Sequence, residues 1–272
     1  MSAFAQAGVL SSLYRYPVKS MMGEELNAAQ VTSRGLFGDR AYALADVETK
    51  KVVSAKNPRK WPNLFSYRAA FVSPPEMEPA LPPVRVTLPH GETAVSGTTQ
   101  FAPTLSAALG RPVTLLSAAP PDAQLEEYWP DIDGLAHRDH VTEEAMPPGT
   151  FFDLAVLHVL TTSTIDKYRE LYPAGRFEPR RFRPNLIVST PGQSGFVEND
   201  WVGKTLSIGD QVKIQITMPC GRCVMTTLAQ GDLPKDPGIL KTAAKHNEVR
   251  IGVYASVVQG GTVHIGDSVT LN

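Results

Sequence analysis

At 272 residues the chain is long enough for one large domain or two modest ones, at roughly 100–200 residues per domain. Its 42% apolar and 19% charged residues form an ordinary globular balance and exclude wholesale disorder. A net charge of −1 leaves no global field to draw nucleic acid or an anionic membrane surface to the protein.

No apolar run reaches the ~18 residues of a membrane span, and Met1 to Leu13 lacks the basic and apolar regions of a secretory leader. Two cysteines are too few for a disulfide scaffold and fit a reducing compartment. The expectation is a cytoplasmic protein with no membrane and no nucleic-acid partner. The 23 prolines cut the chain into short elements, which favours strands and turns over long helices.

In chain order, Gly8 to Tyr14 reads as a first strand, stopped by Tyr16-Pro17. Ala41 to Ala45 and Val52 to Ala55 read as a hairpin around the polar turn Asp46 to Lys51. Ser66 to Val72 is a further strand, and Ser73 to Pro83 an exposed loop rich in proline and glutamate. Val84 to Leu88 alternates with period two, and Thr104 to Leu109 suits a short helix closed by Gly110. Ala118 to Gly149 reads as a linker-like acidic stretch, and Leu154 to Leu160 as a buried strand. The next helix takes Ser163 as its cap and Asp166 as the capping-box partner. From Asn185 onward the pattern is almost all β, clearest in Leu186 to Val188, Val212 to Thr217 and Ile251 to Val258. Ile208-Gly209-Asp210 is echoed by Ile265-Gly266-Asp267, which reads as two similar turns entering strands.

Both cysteines sit in Cys220-Gly221-Arg222-Cys223, behind an alternating strand. Four readings stay open. A structural zinc site would have to recruit distant histidines to reach four ligands. A thioredoxin-like redox pair expects a helix start, whereas Val224 to Leu228 looks extended. Two buried apolar thiols are common for free cysteine. A single thiolate ligand to a soft transition metal is favoured by the neighbouring Arg222.

Anion-binding candidates are Lys19 and Ser20 after the first strand, and Arg40 behind the glycines of Gly35 to Asp39, which would let backbone approach a ligand. Arg176 to Asn185 holds four arginines, including Arg183, whose default role is solvated surface. Thr161, Thr162 and Ser163 at a helix start can either cap it or bind an anion. His137 and His140 lie in an acidic loop without the helical spacing of a zinc motif.

In this order, Tyr16-Pro17-Val18-Lys19-Ser20, Gly35 to Arg40, Phe182-Arg183-Pro184-Asn185 and Cys220-Gly221-Arg222-Cys223 followed by Thr226-Thr227 resemble the MOSC family, over nearly the whole chain. The resemblance is to bacterial and mitochondrial amidoxime-reducing molybdenum enzymes. It implies a mainly β, α+β protein with a few short helices: a β-rich N-terminal domain over 1–125 and a MOSC β-barrel over 126–272.

It also implies a bound molybdenum cofactor (Mo-molybdopterin) and no expected pyridoxal phosphate. Cys223 would be the metal ligand and catalytic position, with Cys220 on a neighbouring, non-ligating position of the cofactor site. Lys19, Ser20, Arg40, Arg183 and Asn185 fall on cofactor-contacting positions, with Thr161, Thr162 and Ser163 near the pterin phosphate. The implied activity is reduction of N-hydroxylated or N-oxygenated small molecules. With no cysteine-rich, ferredoxin-like stretch after Asn272, electrons are expected from a separate flavin or iron–sulfur protein. A non-catalytic cofactor carrier or sulfur-transfer protein is the alternative, and a C-x-x-C thiol–disulfide oxidoreductase a further one. Ser54-Ala55-Lys56 stands where the reductases tend to have threonine-alanine-arginine.

Overall fold

Seven strands close into a barrel, and the first of them comes from the far end of the chain. Ala5–Arg15 pairs antiparallel with Leu186–Ser189 on one side and with Ser268–Leu271 on the other. The ring continues through Thr205–Ile208, Val212–Gly221, Arg250–Gln259 and Leu157–Thr161 back to Leu186–Ser189. Only Leu157–Thr161 with Leu186–Ser189 is parallel, and the helix Thr162–Leu171 supplies the crossover such a pair requires. The computed structural model describes residues 5–77 and 81–272, so the loop expected over 73–83 lies partly outside the described residues.

Burial along Val212–Gly221 alternates from Val212 through Ile214 to Ile216, the period-two signature of a strand with one face inside. Leu10, Val159, Val188, Ile214 and Val253 meet in that interior. The echoed turns work as a pair. Gly209 and Gly266 both have positive φ (55° and 96°), and a Cβ on Gly209 would lie 2.9 Å from the Asp267 carboxylate. The echo is therefore a packing device of the barrel.

The remaining N-terminal residues form smaller sheets, among them Arg68–Phe71, Val84–Thr87 and Thr93–Val95 and the pair Ala43–Asp46 with Val113–Leu116. Val18, Met21, Trp61, Phe65 and Leu105 fill their core, and Met225 from beyond the Cys-Gly-Arg-Cys segment packs into it. The helix Phe101–Leu109 ends at left-handed Gly110 (φ 68°) as expected, but starts before Thr104. Among the described residues no helix is long and apolar enough to cross a membrane.

Four expectations change. The strand read over Leu154 to Leu160 begins at Leu157, and Leu154 is exposed. The stretch 118–149 is not a linker. It folds into a hairpin of Gln124–Trp129 with His140–Ala145. The crossover helix is capped by Thr161, whose Oγ1 accepts from the Thr164 N–H at 3.2 Å, while Asp166 pairs with Arg169 instead of closing a capping box. Finally, Val224–Thr227 is a 3-10 turn, not extended. The Thr226 and Thr227 hydroxyls donate to the Cys223 and Val224 carbonyls at 3.0 and 2.8 Å, a local bonding that outcompetes strand pairing.

Candidate functional site

Where the barrel meets the N-terminal sheets there is a cavity of about 540 Å³. Six of the residues singled out in the sequence line it: Lys19, Ser20, Arg40, Arg183, Asn185 and Cys223. Three of these, Ser20, Arg40 and Arg183, have left-handed backbone, with φ of 63°, 46° and 54°. That conformation costs a non-glycine residue roughly 1–2 kcal/mol, and such residues concentrate at functional sites.

The surrounding packing holds them. The Arg40 and Arg183 guanidiniums lie 4.4 and 4.1 Å from the ring centroid of Tyr16. The Tyr16 N–H donates to Asp39 Oδ1 at 2.7 Å, Asp39 pairs with Arg40, and Asn185 Nδ2 donates to Asp39 Oδ2 at 2.9 Å. Arg183 Nη1 donates to the Met21 carbonyl at 2.6 Å. Two arginines are thus fixed before any ligand arrives. Gly35 and Gly38 serve packing, not ligand approach: a Cβ would lie 2.4 Å from the Val156 carbonyl oxygen in the first and 2.7 Å from the Phe71 ring in the second.

Three further charged groups line the cavity: Lys56, noted in the sequence only through the Ser54-Ala55-Lys56 departure, and Glu127 and Asp153, which sequence reasoning missed as site residues. Lys19 Nζ donates to Asp153 Oδ1 at 2.7 Å and to the Phe151 carbonyl at 2.8 Å. Lys56 Nζ donates to Glu127 Oε2 at 2.8 Å and stands 3.9 Å from Asp153. Burial alone would raise the Asp153 carboxyl, but the Lys19 and Lys56 charges outweigh it and hold it well below the usual carboxylate range. For Lys19 the balance is reversed, because burial depresses its ammonium more than Asp153 supports it.

A depressed carboxyl stabilises the fold above its unfolded value of about 3.9 and loses that contribution as pH falls through the folded value. Asp153→Asn is expected to lower stability at pH 7 by about 1–2 kcal/mol, between the worth of exposed and buried pairs. That position suits a pair in which the Asp153 side chain is 36% exposed and the Lys19 side chain 5%. The variant should also lose less stability than the parent as pH drops below about 4. Denaturant unfolding across pH 2–7 checks both, and parallel pH profiles would sink the argument.

The two cysteines have opposite environments. Cys220 is fully buried, and Arg222 Nη1 donates to its sulfur at 2.6 Å. Burial pushes its thiol up, but Arg222, with His158 and Tyr254 beside it, brings it down to about 6. Cys223 lines the cavity, and burial together with the Glu127 charge pushes its thiol up to about 12, against Lys56 and Arg222. Cys223 is therefore the reachable sulfur and Cys220 a buried acceptor for Arg222. Both are free thiols.

Thr161, Thr162 and Ser163 are not among the residues lining the cavity. Their hydroxyls are spent inside the fold: Thr161 on Glu198 at 2.6 Å, Thr162 on the Thr190 N–H at 3.1 Å, and Ser163 with Thr161 at 3.0 Å. His137 and His140 have ring centroids 6.3 Å apart, and no group of three or more His, Cys, Asp or Glu among the described residues is arranged to hold a metal. The zinc reading therefore has no ligand set.

Fold and site together define a class: a β-barrel with a cation-lined cavity and one reachable thiol on its wall. The chain belongs to the MOSC family, matching the MOSC domain over residues 148–270 and the MOSC N-terminal beta barrel domain over residues 7–102. It is 23% identical to human mitochondrial amidoxime-reducing component 1, over 98% of this chain and 83% of that protein. It is also 23% identical to human molybdenum cofactor sulfurase over 90% of this chain, and spans only 30% of that protein's length. The YuaD protein from Bacillus subtilis aligns over 99% of this chain and 98% of its own, with a TM-score of 0.49 and 11% identity.

Proposed function

We propose that the chain binds the molybdenum cofactor in this cavity and reduces N-hydroxylated or N-oxygenated small molecules, with electrons from a separate redox protein. The observation that carries the reading is the donor set: Cys223 on the same wall system as Lys19, Ser20, Arg40, Arg183 and Arg222. A pterin phosphate suits charge-assisted bonds from lysine and arginine, and a soft metal suits a thiolate. Arg222 Nε is buried with no hydrogen-bond partner, a donor for which an anionic ligand would supply the acceptor. With no cluster of three protein ligands among the described residues, a metal here would bring most of its ligands with the cofactor, as a dithiolene does. The residues fit the group.

When bound, the cofactor supplies two-electron removal of an oxygen atom, with two protons consumed and water released. The chain's contribution is binding and orientation. Lys19, Arg40 and Arg183 clamp the phosphate, and the Cys223 sulfur holds the metal. Lys56 and Glu127 keep a paired charge at the wall. The relatives' names support this reading, one being an amidoxime-reducing component and another a molybdenum cofactor sulfurase. Thiol–disulfide exchange has against it that Cys220 has no exposed surface.

Protein from a cofactor-replete host is expected to carry molybdenum and pterin at about one per chain, and to convert an amidoxime to its amidine when given a reduced donor. Absence of both metal and pterin would overturn the binding reading. Full loading without turnover of any amidoxime or hydroxylamine would leave a cofactor carrier.

A further inference from the structure

The cavity lining is not charged throughout. The hairpin Gln124–Trp129 with His140–Ala145 and its connecting loop contribute Trp129, Leu135 and Ala136 beside Glu127 and Glu144, and Leu154 lines the same cavity. Leu154 is 55% exposed, one of the few large apolar side chains left open to solvent among the described residues. An exposed leucine alone means little. An exposed leucine lining the same cavity as a tryptophan and a set of arginines and lysines gives one site apolar surface as well as charge.

Trp129 is also held in place. Its Nε1 donates to Thr142 Oγ1 at 2.8 Å, and Thr142 Oγ1 donates onward to Glu144 Oε1 at 2.7 Å. The His137 ring meets it edge-on, 5.2 Å between centroids at 70°. Arg138 ties the hairpin tip together through Asp131 and Asp133 at 2.5 and 2.8 Å. A ring whose polar edge is satisfied and whose orientation is set by neighbours presents its remaining apolar surface at little ordering cost. The phosphate-binding role uses none of these groups.

We propose that Trp129, with Leu154 lining the same cavity, forms the subsite for the apolar body of the substrate, so that the protein prefers N-oxygenated compounds bearing a flat aromatic group over small hydrophilic ones. This rests on the reading of the cavity as the site of an N-oxygenated substrate. Trp129 acts as a specificity-determining residue: it grips the part of the molecule that does not react, while the cation-lined side faces the part that does.

The matched probes are benzamidoxime and acetamidoxime, which share the reacting group and differ in phenyl against methyl. Binding is measured by calorimetry on the cofactor-loaded protein, so that the result does not depend on turnover. Benzamidoxime is expected to bind about tenfold tighter than acetamidoxime, from one aromatic contact and the area it buries. Trp129→Ala should erase most of that preference with molybdenum and pterin content unchanged, and Trp129→Phe should restore most of it.

Equal binding of the two probes by the parent, or a preference that survives in Trp129→Ala, would overturn the subsite. Loss of pterin from Trp129→Ala would overturn it as well, and would assign the ring to the cofactor. A Trp129-dependent preference without reduction of either probe would leave the subsite standing and count against the reductase reading alone.

Discussion

Cys223→Ser is expected to fold like the parent and to lose its molybdenum, while Cys220→Ser keeps the metal and loses some stability. The contrast follows from where each sulfur sits. Cys223 lines the cavity and is only partly buried against the N-terminal core, so an oxygen in its place disturbs the fold little. It also offers a soft metal a much poorer ligand. Changes one bond further from a metal commonly cost about 10–100-fold in affinity, so removing the ligand itself should cost at least roughly tenfold in bound metal per pterin.

Cys220 has no path to the cavity, because it is fully buried and its sulfur accepts from Arg222. A serine there weakens the partner of a buried guanidinium, which costs about 1–2 kcal/mol, without touching the metal. Metal analysis, pterin fluorescence and denaturant unfolding of the two variants separate these effects. Metal lost from Cys220→Ser but kept in Cys223→Ser would reverse the assignment.

The parts of this site legible in the sequence were those with a local signature. Lys19-Ser20 after a strand and Arg40 behind two glycines are anion-binding candidates within a few residues, whereas Arg183 and Asn185 stand out only through the ordered set of motifs, and all of them line the cavity. The barrel strands were legible for the same reason, as alternation from Val212 to Ile216 is a local pattern. Glu127, Asp153 and Trp129 carry no such signal, and Lys56 only a comparison with the reductases' arginine. They meet only because the hairpin Gln124–Trp129 with His140–Ala145 folds back over the site. Its strands are short and largely polar, with the second carrying no buried residue, so they read as a linker.

The helix Pro237–Asn247 was missed although Asp236 caps it and Pro237 occupies its first turn. Those signals were overshadowed by the β-rich surroundings. Closure of the barrel by Ala5–Arg15 is a pairing across the whole chain, which no window of sequence contains. The arginine-rich stretch divides in a way charge alone does not reveal. Arg176 and Arg180 pair with Glu178 and Asp232 nearer the surface, whereas Arg181 and Arg183 are buried.

Arg181→Met should be the most destabilising of these substitutions, by about 3–5 kcal/mol. Arg181 has no exposed surface, and every hydrogen bond it makes goes to a backbone carbonyl. Nε donates to Arg176 at 2.9 Å, Nη1 to Leu228 at 3.0 Å with Thr226 at 3.4 Å, and Nη2 to Pro234 at 2.8 Å. No ion pair compensates its burial among the described residues, and desolvation lowers the affinity of its guanidinium for its proton. Replacing it removes that desolvation cost but strands several buried acceptors, each worth about 1–3 kcal/mol.

The carbonyls of Thr226 and Leu228 belong to the turn that follows Cys223, while Arg222 Nη2 donates to the Phe182 carbonyl at 2.9 Å from the other side. The short helix Pro179–Phe182 therefore grips the cysteine turn from both directions. Arg181→Met should accordingly speed alkylation of Cys223 under native conditions, beyond what the loss of global stability produces in a control core variant. Arg181→Lys, able to reach only some of the carbonyls, should fall between. A loss below about 1 kcal/mol, the net worth of a single ordinary hydrogen bond, would mean that solvent replaces the guanidinium and that the turn is held by its own packing.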